Sequence, residues 1–478
     1  MTWEVVIGIE THVELRTESK MFCGCPVGFG AEPNTAVCPV CLGLPGALPV
    51  PNEKAIEWTM RLGLALDCDV TQQSLFHRKN YFYADMPKNY QISQFDFPLC
   101  VGGHLDVTTS DGDRRIGITR VHLEEDTGKS THLGEGGRIG SSGGALVDFN
   151  RAGIPLMEVV SEPDIRTPEE ARVYAQELRA VVLALGVSDA RLEEGSMRFD
   201  ANISLRSEGA TELGVKVEVK NMNSLRSLQR ALSHEIERQT KILDEGGAIA
   251  QETRHWDEEA GRTEAGRSKE EASDYRYFSE PDLVPLVVTD EVVAGLRSEL
   301  PELPAQTRAR FAAAGVDSIA ARVLVGGSLG SLFDEAVVAG AAAPEVAKWL
   351  TGEVTAHLNR EGADPPALSL DGAALAELIA MVEAGDLSST AAKQVLEGVL
   401  TGEGQPRQVA EARDLIQIRD EEALAEAVAA VVAAHPEEMG RIADGDGKLI
   451  GFLVGQVMKA TGGKADPRRV SELIRESS

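Results

Sequence analysis

Trp3-Glu-Val-Val-Ile-Gly-Ile-Glu-Thr-His-Val-Glu14 and Met197-Arg-Phe-Asp-Ala-Asn-Ile-Ser-Leu205 decide the fold class. In the first, Trp3, Val5, Ile7 and Ile9 alternate with Glu4, Gly8 and Glu10. In the second, Met197, Phe199, Ala201, Ile203 and Leu205 alternate with Arg198, Asp200, Asn202 and Ser204. A period of two marks a half-buried strand with one polar face. Ile116–His122 is a third candidate strand. Among these strands lies a well-signalled helix: Thr167 as N-cap, Pro168 in the first turn, Glu170 completing a capping box and Gly186 as terminator. Tyr174, Leu178, Val181, Val182 and Leu185 share one face of it, which packs on the sheet. Helices interleaved with strands that keep a polar face favour an antiparallel α+β domain over a doubly wound one.

Working outward, Asp257–Ser273 is polar and reads as a surface excursion. After Pro301 the composition turns to Ala, Val, Leu and Glu at helical spacing, as in Ala373–Gly385 and Glu421–Ala434. Loops at Gly362–Pro366 and Thr401–Gln408 interrupt it. The expected organisation is a β-rich antiparallel domain over residues 1–294, an all-α domain over 295–405 and a small helical tail domain over 406–478.

The 478 residues allow roughly two to four domains. Acidic residues outnumber basic ones, 76 to 47, for a formal charge of −29, which excludes a general polyanion binder. Apolar residues at 43% and charged residues at 26% exclude wholesale disorder. The N-terminus lacks a basic-then-apolar signal layout, and no uncharged run approaches the ~18 residues of a membrane span. The six cysteines lie within the first hundred residues, which suggests a reducing compartment. A cytoplasmic location without membrane attachment is expected.

Cys23-x-Cys25, twelve residues, then Cys38-x-x-Cys41 is the strongest local chemical signal. Two close pairs joined by a short loop form two edges of a tetrahedral thiolate site, which points to structural Zn²⁺; four unligated thiols are the alternative. Cys68 and Cys100 read as small buried hydrophobes. Glu10, His12 and Glu14 project from one strand face, where carboxylate and imidazole can share a divalent cation or form a solvated edge. His122-Leu-Glu124-Glu125-Asp126 adds further acid at the end of a second strand, a concentration that needs solvent, metal or cations. Complementary charge sits in Arg78-Lys79-Asn-Tyr81-Phe-Tyr83 and Lys88-Asn-Tyr90, where Lys79 and Lys88 suit phosphates and Tyr81 or Tyr83 a stacked base. Lys216, Glu218 and Lys220 share another polar strand face.

Familiar nucleotide loops are missing. Gly128-Lys129-Ser130 resembles the end of a phosphate loop, but Leu123 stands where its first glycine belongs. Gly140-Ser-Ser142-Gly-Gly144 matches a nucleophile-elbow pattern but reads better as a flexible loop. Any ATP chemistry would therefore have to use a metal-centred set of carboxylates and lysines, which would suit phosphoryl transfer. Residues 448–478 hold six Lys or Arg against three Asp or Glu, either an RNA-facing tail or a solvated basic helix end. Gly447–Lys459 reads as a short helix whose glycines allow close packing.

Gly8-Ile-Glu-Thr-His-Val-Glu-Leu15, Arg78-Lys-Asn-Tyr-Phe-Tyr83, Tyr90-Gln-Ile-Ser-Gln94, Gly117–Asp126, Asp200-Ala-Asn-Ile-Ser204, Ser279-Glu-Pro-Asp282, Pro301-Glu-Leu-Pro304 and Gly451–Lys459 together resemble the GatB family, one of the subunit types of the bacterial aspartyl/glutamyl-tRNA(Asn/Gln) amidotransferases. The resemblance runs in order over nearly the whole chain. It implies a β-rich cradle, a helical domain and a tail that contacts tRNA. It implies an ATP-dependent ligase component of a heterotrimer, beside an amidase (glutaminase) subunit and a small third subunit. On that resemblance, the γ-phosphate of ATP is expected to pass to the side-chain carboxylate of Glu-tRNA(Gln) or Asp-tRNA(Asn), and ammonia from the amidase subunit then to displace it. By the same resemblance Glu10, His12 and Glu125, with Glu124 nearby, hold Mg²⁺, and Lys79 and Lys88 meet ATP phosphates or substrate. Strand alternation forbids Glu124 and Glu125 from both facing inward without a bulge. Zinc is structural support in only some members of the family. The same resemblance makes a non-discriminating aminoacyl-tRNA synthetase a candidate further partner, and a non-catalytic tRNA-binding scaffold is the alternative function. Neither a nucleophilic Cys–His pair nor an amidase-type Ser-Ser-Lys stretch is recognisable.

Overall fold

The computed structural model describes residues 2–28, 30–133, 144–266, 275–362, 365–417, 421–443 and 447–477. Gly140 and Ser142 of the elbow-like pattern lie outside them. Two compact units result, Met1–Pro304 and Ala305–Ser478. The chain is α+β, with its strands in the first unit and a helical second unit.

Trp3–Glu14 sits inside a ten-stranded sheet, between Met197–Ser207 and Pro155–Ser161, antiparallel to both. Gly112–Glu125 follows on the Pro155–Ser161 side; Val217–Lys220, Thr253–Asp257 and Arg262–Ala265 follow on the other. Only the pairing of Val217–Lys220 with Thr253–Asp257 is parallel among the described strands of this sheet. One face is apolar: Ile7, Ile9, Val13, Phe199, Ile203 and Val121 are buried with Tyr174 and Leu178 of helix Pro168–Leu185 and Leu228 and Leu232 of helix Leu225–Asp244. Each such side chain contributes about 1.5–3 kcal/mol on leaving water. The other face carries the polar set.

The Pro168–Leu185 helix starts where its cap signals place it, with Thr167 Oγ1 accepting from Glu170 N at 3.1 Å and Gly186 closing it at φ 66°. The capping box differs from expectation. The Glu170 carboxylate accepts from Arg166 N at 2.6 Å, one residue earlier than the N-cap, because Arg114 also draws it aside at 3.1 Å. Asp257–Ser273 is not simply an excursion. Its described part turns into a hairpin, with Asp257 opposite Arg262 and Trp256 opposite Thr263, that forms the edge of the large sheet. Trp256 is 2% exposed and anchors it, which the surrounding polarity masks.

The helical unit holds two apolar cores. One joins Phe311, Phe333, Leu350, Leu375 and Val395; the other joins Leu424, Val428, Leu453, Val457, Val470 and Ile474. Helix Pro406–Ala412 lies beyond the expected 405/406 division, yet Val409 and Ala410 belong to the former core. Helix Asp290–Ser298 crosses the 294/295 division, because Leu296 packs into the first unit's core and Arg61 Nη2 holds Glu299 at 2.6 Å. In helix Leu449–Ala460, Gly451 and Gly455 face open space, not a close neighbour: a Cβ on either meets nothing within 4 Å. Among the described residues no helix is long and apolar enough to cross a membrane.

Candidate active-site cavity and cysteine cluster

The polar face of the sheet floors a cavity of about 640 Å³. Register builds its centre. Glu158 lies opposite His12 on one side and opposite His122 on the other, and His12 lies opposite Arg198. Glu10 faces Asp200 across the next pair. His12 Nε2 is 3.5 Å from Glu158 Oε2, and His122 Nε2 is 3.6 Å from the same oxygen. One ligating atom from each of His12, Glu124 and Glu158 falls within 4.8 Å of the other two. Burial opposes charge on His12, but the Glu158 carboxylate, with Asp200 and Glu124, outweighs it and raises the imidazole to about 9. At His122 burial dominates and lowers the pKa. Burial disfavours a charged Glu158, yet His122, His12 and Lys79 hold it well below the usual carboxylate range.

Cations face these acids. Lys79 Nζ is 4.0 Å from Glu124 Oε2 and 5.0 Å from the centre of the Tyr275 ring. Lys220 bonds Asp200 and lies 3.6 Å from Glu218, while Lys216 and Arg120 add further positive charge to the lining and His255 an imidazole. Aromatic rings line the same cavity: Phe95 stacks on Tyr277 at 4.3 Å and 8°, and Tyr81 lies 4.3 Å from Tyr83.

Glu10, His12, Glu124 and Lys79 thus meet in one cavity. Glu125 and Lys88 do not join them. Strand parity turns Glu125 to the opposite side of its strand, where its carboxylate pairs with Lys88 and accepts from Ile92 N at 2.9 Å. Glu124 takes the place beside His12 that sequence reasoning assigned to Glu125. Sequence reasoning missed Glu158, Arg120, His255, Tyr275 and Tyr277 as lining residues. Glu158 did carry a signal: it is the one charge in Pro155-Leu-Met-Glu-Val-Val-Ser161, and a charge inside an apolar run is seldom buried without purpose.

The sulfurs of Cys23, Cys25, Cys38 and Cys41 all lie within 4.8 Å of one another, and none forms a disulfide. The hydrogen bond from Cys23 is the largest influence holding Cys41 down to about 4, against burial, with the Cys38 N–H and Lys20 assisting. Lys20 is 1% exposed, its ammonium 3.8 Å from Cys41 Sγ and 3.2 Å from Phe149 O. A buried ammonium with these neighbours needs thiolate charge nearby. The turn after Cys41 packs on Lys88: Gly43, at φ 66°, would place a Cβ 2.5 Å from Lys88 Cγ. The cluster is thereby tied to the strand end that carries Glu124 and Glu125. Cys68 and Cys100 are buried in the core of the sheet.

An α+β sheet with an acid–imidazole cluster on its polar face, followed by helical cores, agrees with family matching. Residues 5–294 match the family model described as the GatB/GatE catalytic domain, and residues 331–477 match the GatB domain. The chain belongs to this family, the GatB subunits of aspartyl/glutamyl-tRNA(Asn/Gln) amidotransferases, which are parts of a ligase-type enzyme. It is 51% identical to the corresponding amidotransferase subunit from Frankia casuarinae, over 99% of this chain and 95% of the relative. It is 49% identical to those of Thermodesulfovibrio yellowstonii, over 99% of both chains, and Moorella thermoacetica, over 100% of both.

Proposed function

We propose that this chain activates the side-chain carboxylate of Glu-tRNA(Gln) or Asp-tRNA(Asn) with ATP and completes its conversion to the amide. The observation that carries the reading is the cluster of His12, Glu124 and Glu158, facing Lys79, in a cavity also lined by lysines and stacked aromatic rings. A carboxylate is a poor acyl donor until one oxygen becomes a good leaving group. Its oxygen attacks the γ-phosphorus of ATP, the bond to ADP breaks, and an acyl phosphate forms. Ammonia then attacks the carbonyl carbon and phosphate leaves with the activated oxygen.

Two carboxylates and one imidazole, with Glu10 nearby, would form a mainly oxygen donor set that fits Mg²⁺, provided that His12 gives up, on the cation's arrival, the proton that Glu158 favours in the metal-free chain. When bound, Mg²⁺ neutralises phosphate charge and orients the γ-phosphoryl group. Lys79 supplies fixed positive charge beside Glu124, where phosphate oxygens gather negative charge. Phe95, Tyr277, Tyr81 and Tyr83 offer ring faces to adenine or to the 3′-terminal base of tRNA. Lys88 and Glu125, outside the cavity lining, support the strand end. The four clustered sulfurs fit tetrahedral Zn²⁺ with every position filled, a structural role.

The chain works in the cytoplasm with two partner chains: the amidase, which releases ammonia from glutamine, and a small bracing protein. The residue 1–294 domain does the chemistry, the helical domain follows it, and the basic tail meets tRNA. A non-discriminating synthetase supplies the misacylated tRNA.

The test is ATP γ-phosphate cleavage by the reconstituted heterotrimer, with and without misacylated tRNA. Cleavage that requires Glu-tRNA(Gln) or Asp-tRNA(Asn) and collapses in His12→Ala and Glu124→Ala is the expected result. Full cleavage in both variants would overturn the site and leave the scaffold function.

A further inference from the structure

We propose that His122 is a positioning residue and not a metal ligand: Arg120 sets its tautomer, and its Nε2–H holds the Glu158 carboxylate toward His12 and Glu124. The inference rests on the reading of His12, Glu124 and Glu158 as the holders of a divalent cation.

A guanidinium only donates hydrogen bonds. Arg120 Nε donates to His122 Nδ1 at 3.3 Å, so the lone pair of Nδ1 is engaged and the ring's single proton sits on Nε2. That nitrogen stands 3.6 Å from Glu158 Oε2, the same oxygen that His12 Nε2 approaches to 3.5 Å. The two imidazoles flank one carboxylate oxygen because their strands lie on either side of the strand bearing Glu158. A protonated Nε2 has no lone pair to give a cation. At 3.6 Å it is short of a hydrogen bond, and its N–H dipole draws the carboxylate electrostatically, the part that groups behind metal ligands play in orienting them and tuning their affinity. His122 itself is 3% exposed, while Arg120 at the outer end of the relay is half-exposed.

Mn²⁺ titration of the full chain, with electron spin-echo detection of coupled imidazole nitrogens, tests this without reference to turnover. Wild type should show one imidazole nitrogen, lost in His12→Gln. His122→Gln should keep that nitrogen while its Mn²⁺ affinity falls roughly ten- to hundredfold. Arg120→Leu frees Nδ1 for the proton and should add a second nitrogen; at a half-exposed position it reads the same relay if His122→Gln fails to fold. Two nitrogens in wild type, unchanged affinity in a folded His122→Gln, or no second nitrogen in Arg120→Leu would overturn the assignment. A Mn²⁺ signal in wild type that lacks any imidazole nitrogen would sink the cation site itself, and this inference with it.

Discussion

Arg198 donates two hydrogen bonds, of 2.9 and 3.0 Å, to a single oxygen of Asp126, and a third of 3.2 Å to Glu14. The guanidinium thereby ties the end of strand Gly112–Glu125, which presents Glu124, to the strands bearing His12 and Asp200. Burial works against a charged Asp126, but Arg198 and Arg151 hold its carboxyl far below the usual range. Arg198→Ala leaves a buried carboxylate whose remaining ion-pair partner among the described residues is Arg151, 3.8 Å away. The expected loss is about 3 kcal/mol, read from the denaturant midpoint. Arg198→Lys keeps the charge and should lose less.

Glu125 and Lys88 form a second buried pair, with side chains 3% and 6% exposed. Glu125→Gln strands the ammonium and should cost about 3 kcal/mol, while the double variant Glu125→Gln/Lys88→Met should recover most of it. The same variants separate the two neighbouring acids. Mn²⁺ affinity should survive Glu125→Gln and fall at least about tenfold in Glu124→Gln. The reverse ranking would return Glu125 to the cation site.

If the four clustered cysteines hold zinc, zinc content should follow them alone. Elemental analysis should find stoichiometric zinc in wild type and in Cys68→Ala, and none in Cys38→Ser. Chelation should lower the thermal midpoint of the chain, since a structural site contributes its binding energy to folding.

Phe95 and Tyr277 stack in the cavity, and Phe95 is 39% exposed despite its size. If the pair receives the 3′-terminal base, Phe95→Leu should raise KM for misacylated tRNA about tenfold with little change in kcat, as a stacking contact of about 1–3 kcal/mol implies. A fall in kcat at unchanged KM would place the pair in chemistry instead.

Periodicity alone determined that Trp3–Glu14 and Met197–Leu205 are strands, and that Glu10, His12, Asp200 and Asn202 belong to polar faces. A strand's side-chain alternation is built into its backbone and needs no partner to be read. The paired cysteine spacing and the capped helix at Pro168 are local in the same sense. Tertiary structure decided what no local pattern holds. Glu158 reached the centre of the cavity through its register with His12 and His122, a relation among three strands distant in sequence. The choice between Glu124 and Glu125 is one of phase, which pairing across the sheet sets. The Thr253–Ala265 hairpin reads as surface from its charges, yet the one buried Trp256 outweighs them and anchors it to the sheet. Pairing through space places a side chain by the positions of other strands, and that information lies in the packed sheet.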